Sequence, residues 1–196
     1  MDNVIDFDST LTAQVTFKKV MDAFAHPFKV YNINDSAENN PLIQGEYAPI
    51  QELCRVFLDN TVTFYVHADE HLAAGIKELT YARLTRLEDA SFVVIKDNDK
   101  FGLWDMVCQG SLTDPHKGAT VIVAVPQITG DIGITAEGPG INGCQRFGVD
   151  GSVAECVYRA AELNMEYPKG FEFIFVSRQG DICAVPRHIH CRKGAF

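Results

Sequence analysis

The sequence is short of several things, and each shortage excludes something. No apolar run approaches the roughly 20 residues a membrane-spanning helix requires. The first twenty residues carry Asp2, Asp6 and Asp8 without an early basic cluster, so no signal peptide is expected and the cytoplasm is the expected compartment. Positive charge is scarce: 17 basic residues face 26 acidic ones, a net charge of −9. Such a balance argues against a nucleic acid or an anionic membrane as the main partner. The six cysteines (Cys54, Cys108, Cys144, Cys156, Cys183, Cys191) include no C-x-x-C pair, and free thiols, several of them buried, are expected. The chain has no Walker A lysine motif and no G-x-S-x-G elbow, so neither nucleotide cradling by a P-loop nor serine-nucleophile chemistry is indicated. Internal repeats and low-complexity tracts are absent.

What remains is 196 residues, 46% of them hydrophobic and 22% charged, enough for one domain with a sizeable core. The densest apolar run, 119–125, is rich in Val and Ile and suits a central strand covered on both faces. Pro126 stops it. After a turn at Thr129-Gly130-Asp131, alternation through Ile132, Ile134 and Ala136 predicts a half-buried strand that returns antiparallel to the first. A loop with Gly138, Gly140, Gly143, Gly148 and Gly151 follows, implying positive φ or close backbone approach. The rest of the chain is expected to pack around this hairpin.

Helical periodicity covers 10–25, with Phe17, Val20, Met21 and Phe24 on one face, ended by His26-Pro27. Residues 28–33 read as a strand and 34–47 as a surface loop. A second helix spans 49–59, with Pro49 in its first turn. Residues 61–66 alternate as a strand. A third helix covers 69–79 with Asp69 as N-cap, 91–95 reads as a strand, and 97–100 as a charged turn. The polar stretch 109–118 breaks regular structure. Ser152 and Glu155 suggest a capping box for a helix bearing Val153, Cys156, Val157, Ala160 and Ala161. Strands at 171–176 and 182–185 close the chain around a turn at 178–181. Helices and strands interleave, but the hairpins break strict alternation, which predicts a three-layer α/β/α domain with a mixed sheet.

Functional motifs are sparse. Gly138-Pro139-Gly140-Ile141-Asn142-Gly143 fits G-x-G-x-x-G, yet the next helix opens well past it, so a wide turn is the better reading than a dinucleotide fingerprint. His188, His190 and Cys191 are the one tight group of metal-ligand types. In an extended run the two histidines would project to one side, but two ligands make no site, and no metal is assigned. Asp114, His116 and Lys117 form a polar cluster beside Pro115 that reads as turn chemistry. Arg178, Arg187, Arg192 and Lys193 make the end of the chain locally basic, either as an anion or docking contact or as a solvated terminus. If a docking or binding site exists, Gly138, Gly140, Asn142, Arg146, Arg187 and His188 are its expected residues, because strand-end loops are where α/β folds meet ligands. The alternative leaves the glycines to backbone geometry and Arg187 to an internal carboxylate such as Glu137.

Taken in order, these landmarks resemble the PhnH family, a subunit of the carbon–phosphorus lyase core complex. They are Ala13-Gln14 with Phe17-Lys18, Met21 through Pro27, Leu58-Asp59-Asn60-Thr61, Gly110-Ser111 through Gly118-Ala119-Thr120, Glu137-Gly138-Pro139-Gly140-Ile141, Tyr167-Pro168 with Gly170, and Val185-Pro186-Arg187. Three positions depart from the pattern: Phe28 where glycine is usual, Glu172 where aspartate is usual, and His188-Ile189 where threonines are usual. The resemblance implies a fold like the large domain of pyridoxal-phosphate-dependent transferases without that cofactor. It implies a cytoplasmic homodimer joining partner subunits G, I and J. It implies service to a reaction that makes α-D-ribose 1-methylphosphonate 5-triphosphate from MgATP and a phosphonate, with a mainly structural role for this chain and no catalytic residue of its own. No cofactor is expected: the nine lysines mostly fall at turns, loops or polar helix faces, whereas an aldehyde cofactor needs a desolvated lysine. The competing reading is a stand-alone small-molecule enzyme using the 138–143 loop and Arg187.

Overall fold

The computed structural model describes residues 9–193, apart from 39, 44, 97–100, 164 and 165. The charged turn expected at 97–100 lies outside the described residues.

Five strands run parallel at the centre. β2 (Thr63–His67), β3 (Arg83–Leu84), β4 (Phe92–Ile95), β5 (Thr120–Val125) and β8 (Glu172–Ser177) lie in the order β8-β5-β4-β2-β3. β9 (Asp181–Val185) adds antiparallel to β8, and β1 (Tyr31–Asn32) adds antiparallel to β9. The seven-stranded sheet is therefore mixed, as expected. β5 carries Val121, Ile122 and Val123, all buried without residue, because parallel strands in this setting are covered on both faces.

Three helices cover one face: α1 (Ser9–Ala25), α3 (Ala48–Phe57) and α4 (Glu70–Thr80). Val20, Leu53 and Ile76 from these helices share a core cluster with Phe64, Ile122 and Ile174 of the sheet. The short helix α2 (Asn34–Glu38) packs beside α1 and α3. On the other face, Val93, Val121 and Phe175 share a second cluster with Trp104 and with Val153 and Cys156 of α5 (Gly151–Glu162). The layers are helix, sheet, helix, with a small antiparallel sheet beside α5 in the order β10-β6-β7, built from β6 (Thr129–Glu137), β7 (Cys144–Val149) and β10 (His190–Lys193). Pro49 sits in the first turn of α3, and Asp69 caps α4 by accepting from the Leu72 N–H at 2.9 Å.

Four sequence expectations are corrected. First, β5 and β6 are not a hairpin. β5 already has β4 on one edge and β8 on the other, both parallel. With both ladders occupied, β6 can only start a second sheet. Its partner comes from the glycine-rich stretch itself, which is a true β6–β7 hairpin with a turn at 138–143; Gly148 lies in β7 and Gly151 opens α5.

Second, α5 is capped by Asp150, whose carboxylate accepts from the Ser152 N–H at 2.8 Å, and Glu155 instead pairs with Arg159. Third, the buried stripe of α1 is Thr16, Val20 and Ala23, while Phe17 and Met21 are 46% and 48% exposed. Hydrophobic periodicity missed this face because it includes a threonine, whose hydroxyl is satisfied inside the core (Thr16 Oγ1 to Glu52 Oε1, 3.0 Å). Fourth, the strand expected at 28–33 shrinks to Tyr31–Asn32, because Phe28 takes a left-handed φ of 64° that no strand accommodates.

Candidate functional site

The four longer parallel strands β2, β4, β5 and β8 end along one edge of the sheet. After β2 the chain proceeds to β3 on one side; after β4 it proceeds to β5 on the other. The crevice between the carboxyl ends of β2 and β4 is thus the topological switch point, where open α/β sheets place ligands.

Charged residues fill it. Asp69 follows β2 and Lys96 follows β4, and the Lys96 ammonium donates a short charge-assisted hydrogen bond to the Asp69 carboxylate. Lys96 Nζ also lies 5.3 Å from the ring centre of Tyr47, within cation–π range. Tyr47 immediately precedes α3. Its neighbour Glu46 pairs with Arg178 at 3.3 Å, and Arg178 directly follows β8. Lys96, Tyr47, Glu46 and Arg178, together with Pro126 and Ser177, line an open cleft of about 440 Å³ at the ends of β4, β5 and β8. A second cleft of about 400 Å³ shares Glu46 and Tyr47 and extends past Asp69 to His71, Gln51 and Glu78.

The electrostatics follow from these contacts. The Leu72 N–H at the helix terminus, and after it Lys96, hold the Asp69 carboxyl below the usual carboxylate range. The hydrogen bond to Asp69 holds Lys96 above the ordinary lysine value. Burial, and then Glu46, push Tyr47 upward. Two buried polar atoms have no partner among the described residues: Nδ1 of His67, the last residue of β2, and Oε1 of Gln51, which lines the second cleft.

Sequence reading placed Lys96 beside a turn; the fold places it in the cleft. A Schiff-base lysine needs a lowered pKa, and the Asp69 partner shifts Lys96 the other way. The two clefts therefore offer the ammonium of Lys96 and the guanidinium of Arg178, each paired with a carboxylate. They can hold a polar ligand by exchanging partners.

The six residues expected from sequence lie elsewhere. β9 runs against β8, so Arg187, just beyond β9, sits at the amino edge of the parallel strands; Val185 pairs with Phe173 near the start of β8. The rule that ligands gather at strand ends concerns the carboxyl ends, and Arg187 is at the opposite edge from the cleft. Its Nε donates to Glu172 at 3.1 Å and its Nη1 to the Pro115 carbonyl at 2.5 Å. The carboxylate partner is Glu172; Glu137 pairs with Arg192 at 3.2 Å. Pairing of β10 with β6 brings Gly138 against His188 and Ile189, so a Cβ at Gly138 would meet the Ile189 side chain and the His188 carbonyl. Gly140 is pressed onto the Ala25 carbonyl and Pro27. Asn142 is exposed, and Arg146 reaches across the small sheet so that its guanidinium lies over Gly133. Gly138 and His188 are thus brought together, while Arg187 is directed inward.

The supposed extended run through His188 and His190 is broken. A turn closed by the Ile189 N–H on the Pro186 carbonyl (3.1 Å) holds His188, and His190 starts β10. Among the described residues no three His, Cys, Asp or Glu side chains gather as metal ligands would.

A family model described as bacterial phosphonate metabolism protein (PhnH) matches residues 6–192. The chain belongs to the PhnH family. The chain is also similar to the putative C-P lyase subunit protein HtxG of Stutzerimonas stutzeri, at 28% identity over 190 residues, covering 93% of this chain and 87% of the relative. Membership in the PhnH family gives the departures a structural meaning. Glu172, one methylene longer than the usual aspartate, still reaches Arg187, and Phe28 occupies a left-handed position where glycine costs nothing.

The cleft at the carboxyl ends of β4, β5 and β8 was missed from sequence. The available signal was local: V-V-I-K at 93–96 and V-S-R at 176–178 each set a cation directly after a buried apolar strand. Which strands ended side by side was not readable.

Proposed function

We propose that this chain is an assembly subunit of a carbon–phosphorus lyase complex in phosphonate catabolism. The observation that carries the reading is the family match along nearly the whole chain, joined by a relative whose name is that of a C-P lyase subunit. In this reading the chain is a cytoplasmic homodimer that joins subunits G, I and J. It supports the transferase step that makes α-D-ribose 1-methylphosphonate 5-triphosphate from MgATP and a phosphonate, using a fold like that of pyridoxal-phosphate-dependent transferases without the cofactor. A structural role is supported by the cleft, whose cations Lys96 and Arg178 are each matched by a carboxylate. The net charge of −9 likewise disfavours unaided capture of a triphosphate. Partner docking is assigned to the 138–143 turn and the adjoining 187–188 segment, where Asn142, Arg146 and His188 would supply side chains and Gly138, Gly140 and Arg187 would hold the backbone of that surface.

The test is affinity purification of the tagged chain from its own host grown with a phosphonate as sole phosphorus source. The expected result is recovery of the G, I and J subunits, and loss of growth on phosphonate when the gene is deleted. Recovery of the chain alone, with growth unimpaired by deletion, would overturn the proposal.

A further inference from the structure

The two clefts beside the carboxyl edge of the sheet meet along Glu46 and Tyr47, which line both. Their charges are sorted. The cations Lys96 and Arg178 line the first cleft, and the carboxylates of Asp69 and Glu78 line the second. Two ion pairs join the sides, Lys96 to Asp69 and Arg178 to Glu46. The fold fixes this arrangement, because Lys96 follows β4, Arg178 follows β8 and Asp69 caps α4. The second cleft stays open because α4 presents only Ala74 and Gly75 along that part of its wall.

Each side also holds a polar group that the protein leaves unsatisfied. In the second cleft, Gln51 Oε1 is buried and has no donor among the described residues. In the first, Ser177 is 3% exposed. Its hydroxyl oxygen accepts from the Asp181 N–H at 3.1 Å, and no described acceptor takes its proton. Buried groups left in this way cost stability that a ligand can restore.

The existing pairs decide what such a ligand must carry. A lone anion that took Lys96 would strand Asp69, and a lone cation that took Asp69 would strand Lys96. Their side chains are only 31% and 14% exposed, so an uncompensated partner is costly. A molecule with both charges replaces both partners at once. We infer that the joined clefts bind a small zwitterion, an ammonium and an oxyanion on a short apolar backbone. The oxyanion takes Lys96, Arg178 and the Ser177 hydroxyl. The ammonium takes Asp69 and Gln51 Oε1, the acceptor that lacks a donor. Ile50 and Val125, on the first cleft, give the backbone an apolar wall. Carboxylate and phosphonate oxyanions share this chemistry. The inference concerns ligand capture and goes beyond the assembly role.

The experiment is calorimetric titration of the full chain with matched probes. Free glycine and aminomethylphosphonate are the zwitterions. Acetate and methylphosphonate are the same molecules without the ammonium, and methylamine lacks the oxyanion. Gln51→Leu removes the waiting acceptor, and Arg178→Gln removes one cation. Thermal melts establish that each variant is folded; Arg178, 63% exposed in its pair, keeps the test open if Gln51→Leu melts far lower. The expected result is saturable binding of a zwitterion, at least about tenfold tighter than its matched anion or methylamine, and at least about tenfold weaker in a folded variant. The tighter of the two zwitterions identifies the oxyanion. Anions or methylamine that bind as well as the zwitterions overturn the inference, as does the absence of binding by both zwitterions. Folded variants that bind as wild type overturn the placement of the ligand. Recovery of the partner subunits is a separate measurement, so this inference and the assembly role can fail independently.

Discussion

Lys96 and Asp69 meet across the one crevice where the central sheet changes direction, and each shifts the other's titration outward. Asp69 is depressed below the ordinary carboxylate value of about 4. Its contribution to stability is present above that value and is lost as pH falls through the lower folded value. Lys96 is raised above about 10.4. Its contribution is present below that value and is lost as pH rises through the higher folded value. We expect Asp69→Asn to keep the helix cap but lose the ion pair, flattening the stability profile at both ends of the pH range. Asp69→Ala should cost about 1 kcal/mol more through loss of the cap. Urea melts at a series of pH values check both.

Glu52 is fully buried, and its carboxylate accepts from three described side chains. Arg55 donates through Nε at 2.9 Å and Nη2 at 2.7 Å, Thr16 at 3.0 Å and Asn40 at 3.2 Å. This network ties α1 and the segment after α2 onto α3. Removing the cation leaves an uncompensated buried charge, so Arg55→Ala should destabilise by about 3–5 kcal/mol. Thr16→Val removes one neutral donor and should cost about 1–2 kcal/mol. Chemical denaturation in which Arg55→Ala behaved like a surface variant would refute the network's importance.

Phe28 offers a test of backbone strain. At φ 64° a β-carbon is disfavoured by roughly 1 kcal/mol. Phe28→Ala and Phe28→Gly both lose the stack on Phe147, so both should be less stable than wild type. Between them the usual order should invert, with glycine the more stable by about 1 kcal/mol. Thermal melts of the two variants side by side give the comparison.

Arg187 is paired with Glu172, with side chains only 14% and 28% exposed. Arg187→Ala strands the carboxylate and the Pro115 carbonyl together, so the isolated protein should lose about 1–3 kcal/mol. A variant that kept its melting temperature yet failed to recover the other subunits would instead make Arg187 a contact residue.

The thiols should separate by environment. Burial pushes Cys54 and Cys183 to about 12, and the reactive species is the thiolate. Cys144 is exposed on β7. Mass spectrometry after brief alkylation of the native protein should find Cys144 modified and Cys54 and Cys183 untouched until denaturant is added.

Local elements were legible in the sequence wherever one physical cause dominated. The Val/Ile run at 119–125 had to be a central strand, since only cover on both faces buries it. Asp69 had to cap a helix, and the interleaved pattern implied a mixed sheet between helices. The order of family landmarks was legible too. Tertiary structure alone decided the rest, because it depends on which edges and ends become neighbours. β6 could not join β5 once β4 and β8 had taken both of its edges. Thr16 could be buried only because Glu52, thirty-six residues away, accepts a hydrogen bond from its hydroxyl. Arg187 and Lys96 each follow a strand of the same sheet, but the reversed direction of β9 sends them to opposite edges. Strand direction and adjacency are properties of long-range pairing, and no local pattern of side chains encodes them.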